Sequence, residues 1–215
     1  MRLLSLTASG LRAAGPISSR RVAAFTLARR TTQSGPHLPI GGLANVDDVR
    51  KSLPKNVAKH LDGYASLINL PVQWGDQDSY GHLNNVQHMR YFESGRMAYF
   101  DQILKPNLTQ KAYEDFIAPR TVGKFFCYCP IVAGVSMKYM AQAKYPDTVT
   151  VGVRVDPASV KKDRFTQKAR IVSHANGTVI AECECVIVTF SYEQQRKADI
   201  PAEVIAAWKK GEGLE

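Results

Sequence analysis

With 215 residues, 45% of them hydrophobic and 22% charged, the chain is long enough for one ordinary globular core plus appendages. Its formal charge of +9 is concentrated at one end: residues 1–46 carry six arginines (Arg2, Arg12, Arg20, Arg21, Arg29, Arg30) with no lysine and no acid, and the remaining 22 cations against 19 acids leave only +3. That balance excludes a nucleic-acid-scale basic surface on the folded part, and no apolar run reaches the ~20 residues that a membrane-spanning helix needs.

The leader is rich in Arg, Ser, Thr and Ala, and Leu3, Leu4, Leu6 and Leu11 alternate with polar positions as an amphipathic helix requires. It predicts a mitochondrial transit peptide, cleaved between about Arg29 and Ser34, and a matrix protein; a disordered basic tail is the alternative. Residues 31–45, with Pro36, Pro39, Gly35, Gly41 and Gly42, read as a flexible linker. Residues 1–46 are therefore set apart, residues 47–64 form an N-terminal helical extension, and residues 65–215 form the domain. The extension is expected to be a brace broken by Pro54, with Asp47 and Asp48 suited to a helix's first turn.

Residues 67–74 form the first expected strand, and residues 85–104 the main helix, with Val86, Met89, Phe92, Phe100 and Ile103 along one stripe. The Lys105-Pro106-Asn107 sequence stops that helix. Strands are then expected at 120–128, 131–141, 148–156, 165–174 and 179–192, with Asn176-Gly177 as a hairpin turn. Pro130 should break or bulge the edge between the first two, and residues 201–210 suit a short final helix. One long helix followed by an antiparallel meander implies an α+β fold with the sheet wrapped around the helix.

Between the first strand and the main helix, Asp76, Asp78, Gly81, His82, Asn84 and Asn85 crowd into ten residues. A helix entered through Asn84 or Asn85, both good N-caps, leaves its first N–H groups open and directs a partial positive charge at whatever lies ahead. With Asp78 across a cleft from those amides, an ester or thioester carbonyl could be polarised while the carboxylate attacks it or activates a water. Gly81 would supply the positive φ or close approach that such a loop often needs.

The order Asp76-x-Asp78-x-x-Gly81-His82-Leu83-Asn84-Asn85, followed by Tyr91-Phe92-Glu93-x-x-Arg96, resembles the signature of hotdog-fold acyl-CoA thioesterases of the 4-hydroxybenzoyl-CoA thioesterase type. The resemblance covers roughly residues 65–192. It implies that Asp78 is the catalytic carboxylate and that amides around Asn85 polarise the thioester. Gly95 stands where that family more often has alanine; a helix-interior glycine costs about 1 kcal/mol and points to tight helix-to-sheet packing. Hotdog domains generally pair so that their sheets join, which implies a homodimer or homotetramer with Asp78 supplied across the interface. No metal and no cofactor is expected.

Each residue also has a plainer role. Asp78 could be an ordinary loop aspartate, and Asp76 a structural one bonding loop amides. His82 is a second candidate base, although in the resembling family this position shapes the loop. Glu93, with Arg90 and Arg96 three residues to either side, suits a surface ion network or, alternatively, activation of water. Lys161, Lys162 and Arg164 could meet the phosphates of coenzyme A or form a solvated turn, and Gly81 and Asn84 would line the substrate site. The aromatics Tyr91, Phe92, Tyr99 and Phe100 suit the core. The Cys127/Cys129 and Cys183/Cys185 pairs fit small buried side chains better than a zinc site. Two rivals to thioester hydrolysis remain: a hotdog hydratase or dehydratase, and a non-catalytic mitochondrial binding or assembly protein.

Overall fold

The structure, a computed structural model, describes residues 45–117 and 128–214. The leader, nearly all of the linker, Cys127 and the strand expected at 120–128, apart from Tyr128, lie outside the described residues. Pro54 divides the N-terminal extension into α1 (Val46–Ser52) and α2 (Lys55–Ala58), and Asn45 caps α1 by accepting the Asp47 N–H at 2.9 Å. The long helix is α3 (Asn85–Tyr99), which passes through a π-helical turn at Phe100–Leu104 before the Lys105–Asn107 turn ends it.

The strands are β1 (Ser66–Val72), β2 (Cys129–Tyr139), β3 (Asp147–Asp156), β4 (Arg164–Ser173), β5 (Thr178–Ser191) and the short β6 (Arg196–Lys197). They form one antiparallel sheet in the order β1-β3-β4-β5-β2, with β6 added beside β5. Two-residue alternation decides which side chains meet the helix. Val149, Val151, Val153 and Val155 all face the α3 side of β3 and are all buried, together with Ile68 and Val72 of β1 and Phe165, Ala169 and Ile171 of β4. Gly95 lets α3 lie directly on this surface: a Cβ there would stand 2.5 Å from Val151 Cγ1. The tight packing expected from that glycine is present.

The opposite face of the sheet carries α1 and α2. Val49, Leu53, Val57, Leu61 and Tyr64 form a second apolar cluster with Leu67 and Val172. Gly152 makes room for it, since a Cβ on that residue would meet Leu61 and Tyr64. The guanidinium groups of Arg154 and Arg170 flank the Tyr64 ring at 5.3 and 5.8 Å.

Several elements differ from expectation. A helix, α4 (Gln110–Ile117), closes the first described stretch, with the Thr109 hydroxyl accepting the Ala112 N–H and Ala112, Tyr113 and Phe116 buried. Pro130 is the second residue of β2, opposite Thr189, without a bulge there, and a proline is tolerated at the edge of the described sheet; the strand expected before it lies outside the described residues. The bulge falls instead between Val132 and Gly134. The buried stripe of α3 consists of His88, Tyr91, Phe92, Gly95, Ala98 and Tyr99, whereas Val86, at 60% exposure, and Met89 face outward. Cys183 and Cys185 share one side of β5 in the core, where burial pushes the Cys183 thiol up to about 12 and raises that of Cys185. Cys129 lies opposite Phe190, well along β5 from both, and among the described residues no cluster of metal-ligating side chains forms.

Candidate active site

The site is assembled where β1 hands the chain to α3. After Val72 the backbone makes a short 3-10 turn at Trp74–Asp76, closed by the Asp76 N–H donating to the Gln73 carbonyl and the Gln73 N–H donating to Asp76 Oδ2 at 2.8 Å. The Tyr91 hydroxyl, from the second turn of α3, donates to the same Oδ2 at 2.6 Å, and the Asp76 carbonyl accepts the Asn84 N–H at 2.9 Å. Asp76 thus closes the loop on Gln73 and ties it to the helix at two points, Tyr91 and Asn84. Desolvation, followed by the Asp76 carboxylate, holds the Tyr91 phenol well above its ordinary range.

The next residues form a tight reversal. Gln77 and Leu83 bridge antiparallel, the Asp78 N–H donates to the His82 carbonyl at 2.8 Å, and the Gly81 N–H donates to the Asp78 carbonyl at 3.0 Å. Gly81 has φ +72°, a backbone state that a Cβ disfavours, so the glycine is what permits the turn. Asp78 Oδ1 accepts the N–H groups of Tyr80 and His82 at 2.9 and 3.4 Å; Oδ2 has no hydrogen-bond partner among the described residues. One oxygen holds the turn and the other is open. The turn is anchored from below by Leu83 N–H donating to the Ala143 carbonyl and by Tyr145 N–H donating to Gln77 Oε1.

Asn84 begins α3. Its Oδ1 accepts the Val86 N–H at 3.0 Å, and its carbonyl accepts the Gln87 N–H at 2.9 Å. The Asn85 N–H, the first of the helix, has no acceptor among the described residues. An exposed residue therefore presents an unpaired donor at the positive end of a fifteen-residue helix, just after the turn that holds Asp78. Such a donor can stabilise a carbonyl oxygen that is gaining charge.

The structure brings Asp78, Gly81, His82, Asn84 and Asn85 together and separates them from Lys161, Lys162 and Arg164. The Asp78 loop follows Val72, whose partner Asp147 starts β3, whereas the basic turn follows Asp156 at the other end of that strand. Ten strand residues span roughly 30 Å. Within one chain the two groups occupy opposite ends of the sheet. Lys162 pairs there with Asp199 at 3.0 Å, and Arg164 with Asp163 at 2.8 Å, so two of the three cations already have counter-ions. Glu93 is exposed, and among the described residues no ion pair involves it; Arg96 instead lies 5.9 Å over the Phe92 ring.

Sequence reasoning missed three residues at this end. Lys144 lies in the loop that holds the Asp78 turn, in a cleft with Gln142, Tyr145 and Asn176. Tyr139, at the end of β2, donates its hydroxyl to the Asn85 carbonyl at 3.4 Å and meets the His88 ring edge-on at 5.3 Å. His88 itself is buried one turn into α3. Its spacing from Asn84, one helical turn, was the available signal. Around these groups a rim of apolar side chains faces outward: Trp74 at 75% exposure, Tyr80 at 83%, Val86, Met89, Met140 and Tyr145. Beside them β2 pairs, among the described residues, only with β5, leaving Val132 and Val135 exposed on the edge of the described sheet.

Comparison with solved structures places this architecture among thioesterases. The PA2801 protein of Pseudomonas aeruginosa superposes with a TM-score of 0.52 at 23% identity, over 67% of this chain and 98% of its own. A thioesterase from Thermus thermophilus, solved with coenzyme A and zinc, gives 0.54 at 24% identity, over 71% and 97%. A 1,4-dihydroxy-2-naphthoyl-CoA thioesterase from Synechocystis gives 0.53 at 15% identity, over 66% and 93%. No curated protein matches the sequence. At these identities the structural likeness establishes the fold, an antiparallel sheet wrapped around a helix, and the sequence supplies the kinship: with residues 72–208 matching the family model of the thioesterase-like superfamily, the chain belongs to that superfamily and has the hotdog fold of its thioesterases.

Proposed function

We propose that this protein is an acyl-CoA thioesterase of the mitochondrion, acting as a homo-oligomer. The observation that carries the reading is the pairing of an open amide, Asn85 N–H, with a turn whose Asp78 keeps one carboxylate oxygen unengaged. The Asn85 amide would bind the thioester oxygen and stabilise the charge that develops there. Asp78 would then act in one of two ways. It attacks the carbonyl carbon, expels coenzyme A as a thiolate and leaves an anhydride that water opens, or it takes the proton from a water that attacks directly. Both routes end in a free acid and coenzyme A. His82 shapes the turn through its backbone and is the second candidate base; Gly81 and Asn84 set the walls.

The coenzyme A bound to the Thermus relative supports a substrate carried on that group. The outward apolar rim and the β2 edge, unpaired among the described residues, support a second copy joined at this end, since exposed strand edges and apolar patches of that kind are surfaces that partners cover. Import rests on the arginine-rich, acid-free leader. A reporter fused to residues 1–46 should enter mitochondria, and one that stays cytosolic removes this part of the reading.

Thiol release from a panel of acyl-CoA esters tests the chemistry. Asp78→Asn keeps an Oδ1 acceptor for the turn but can neither attack nor take a proton, so kcat should fall by about 10²–10⁴-fold with KM nearly unchanged. Glu93→Gln is the control. Normal turnover by Asp78→Asn with loss in Glu93→Gln would move the catalytic carboxylate to α3. An unmutated chain that hydrolyses no acyl-CoA would favour the non-catalytic binding protein.

A further inference from the structure

His88 is 4% exposed, yet among the described residues only one of its ring nitrogens is engaged. Nδ1 lies 3.1 Å from the Asn84 carbonyl oxygen, and Nε2 is buried with no hydrogen-bond partner among the described residues. A carbonyl oxygen only accepts, so Nδ1 carries the proton and, in the neutral ring, Nε2 is a bare lone pair. Burial lowers the His88 pKa from its ordinary value, which keeps the ring in that neutral form at neutral pH. Leaving Nε2 unpaired is a cost that a phenyl ring in the same space would avoid. What a phenyl ring would lose is the Nδ1–H bond.

That bond has a specific recipient. The Asn84 carbonyl and the Asn85 N–H are the two ends of a single planar peptide group. A donor on the oxygen fixes the orientation of the plane and draws electron density from the nitrogen, making the N–H a stronger donor in turn. The Gln87 N–H and His88 Nδ1–H both donate to this oxygen. The Asn85 carbonyl, on the following peptide, receives the hydroxyl of Tyr139, whose ring packs against His88. These two side chains thus grip the backbone on either side of the residue that carries the open amide.

We propose that His88 is a positioning residue for the thioester-binding amide, holding and polarising the Asn84–Asn85 peptide through its Nδ1–H so that the Asn85 N–H meets the substrate oxygen at fixed orientation. This rests on the thioesterase reading. His88 does not touch substrate and exchanges no proton with it. Removing a whole oxyanion donor typically costs 10²–10³-fold in kcat; weakening one through its peptide should cost about 10- to 100-fold.

Three substitutions separate this role from simple filling of the core. His88→Phe keeps the ring and removes the donor; kcat should fall about 10- to 100-fold with KM nearly unchanged. His88→Asn places its amide nitrogen at the Nδ1 position and should recover kcat to within about threefold. His88→Gln places its nitrogen at the Nε2 position and should not recover it. The amide proton and nitrogen resonances of Asn85 should shift upfield in His88→Phe and return in His88→Asn, with no substrate present. Turnover by His88→Phe equal to that of the unmutated protein overturns the proposal. So does an Asn variant as slow as the Phe variant at an unchanged melting temperature, or an Asn85 resonance that stays in place. An unmutated chain inert toward every acyl-CoA overturns the thioesterase reading beneath it, a failure told apart from this one because the Asn85 shift is read without substrate.

Discussion

Gly95→Ala sets two known magnitudes against each other. In a solvent-exposed helix the change favours folding by about 1 kcal/mol. Here the new Cβ would stand 2.5 Å from Val151 Cγ1 and 3.2 Å from Val151 Cβ and Val153 Cγ2, where carbons in contact sit about 3.5–4.0 Å apart. The shortfall is about 1 Å. Val151 is fully buried between neighbours on a central strand, and its β-branched side chain has few rotamers to escape into. The helix must therefore lift, loosening Phe92, Ala98 and Tyr99. Overpacking of this kind costs about 1–3 kcal/mol, which offsets the propensity gain and leaves a net loss of up to about 2 kcal/mol. For a domain of this size that lowers Tm by up to roughly 8 °C. Calorimetry of Gly95→Ala alone and combined with Val151→Ala isolates the cause, because without the valine methyls the alanine should regain its propensity advantage. A higher Tm for Gly95→Ala in the unmutated background, or the same cost in both backgrounds, would refute the close approach.

Tyr91→Phe removes the hydroxyl that donates to Asp76, and a bond to a charged acceptor is worth about 1.5–3 kcal/mol; chemical denaturation should show that loss, and a change below about 0.5 kcal/mol would remove Asp76 as the tie between loop and helix. Burial lowers the pKa of His88 and of His174, so the folded chain binds fewer protons than the unfolded chain below about pH 6.5, and stability should fall as pH drops through that value. Urea unfolding at pH 7 and pH 5.5 should show a smaller pH-dependent loss in His88→Phe; an identical loss would mean that His88 does not contribute. Val135→Lys puts a charge on the strand at the edge of the described sheet. Sedimentation at micromolar concentration should find the unmutated protein at least dimeric and the variant dissociated, and a fully active monomer would contradict a shared site.

How much of this was legible in the sequence depended on whether periodicity and chemistry agreed. The valines of β3 repeat every second residue, Asn176-Gly177 marks the hairpin between β4 and β5 with Gly177 at φ +62°, and Gly81 carries the positive φ its loop position suggested. Asp76 was legible as a structural carboxylate for a loop amide, the Gln73 N–H that its Oδ2 accepts, whereas the Tyr91 hydroxyl on the same oxygen comes from α3 and leaves no local signal. Phe92, Phe100 and Ile103 of the expected stripe are buried, but the start of α3 departs from it, because the buried side there includes His88, which carries no hydrophobic signal, while Val86 and Met89 advertise a face that turns outward. Helix α4 went unseen for want of length, although Thr109 followed by Ala112, Tyr113 and Phe116 encodes both its cap and its buried side. The spacing of Arg90, Glu93 and Arg96 allows ion pairs, but exposed side chains gain too little from pairing to be held together. The distance between the Asp78 loop and Lys161 is set by strand order, which no local pattern contains.

Kinship and folding autonomy have different borders in this molecule. The stretch shared with the superfamily opens at residue 72, the last residue of β1, and closes at residue 208 inside α5 (Ala202–Gly211). A polypeptide excised at those points forfeits six of the seven residues that pair with β3, together with the α1–α2 cover over Gly152 and Val172. At the other end it forfeits the Glu212 carboxylate, which accepts the Val155 N–H and the Tyr99 hydroxyl. It should precipitate on refolding, whereas one running from residue 45 to 215 should return to solution. The stretch that marks the kinship is thus narrower than the stretch whose contacts complete the sheet and both of its covered faces.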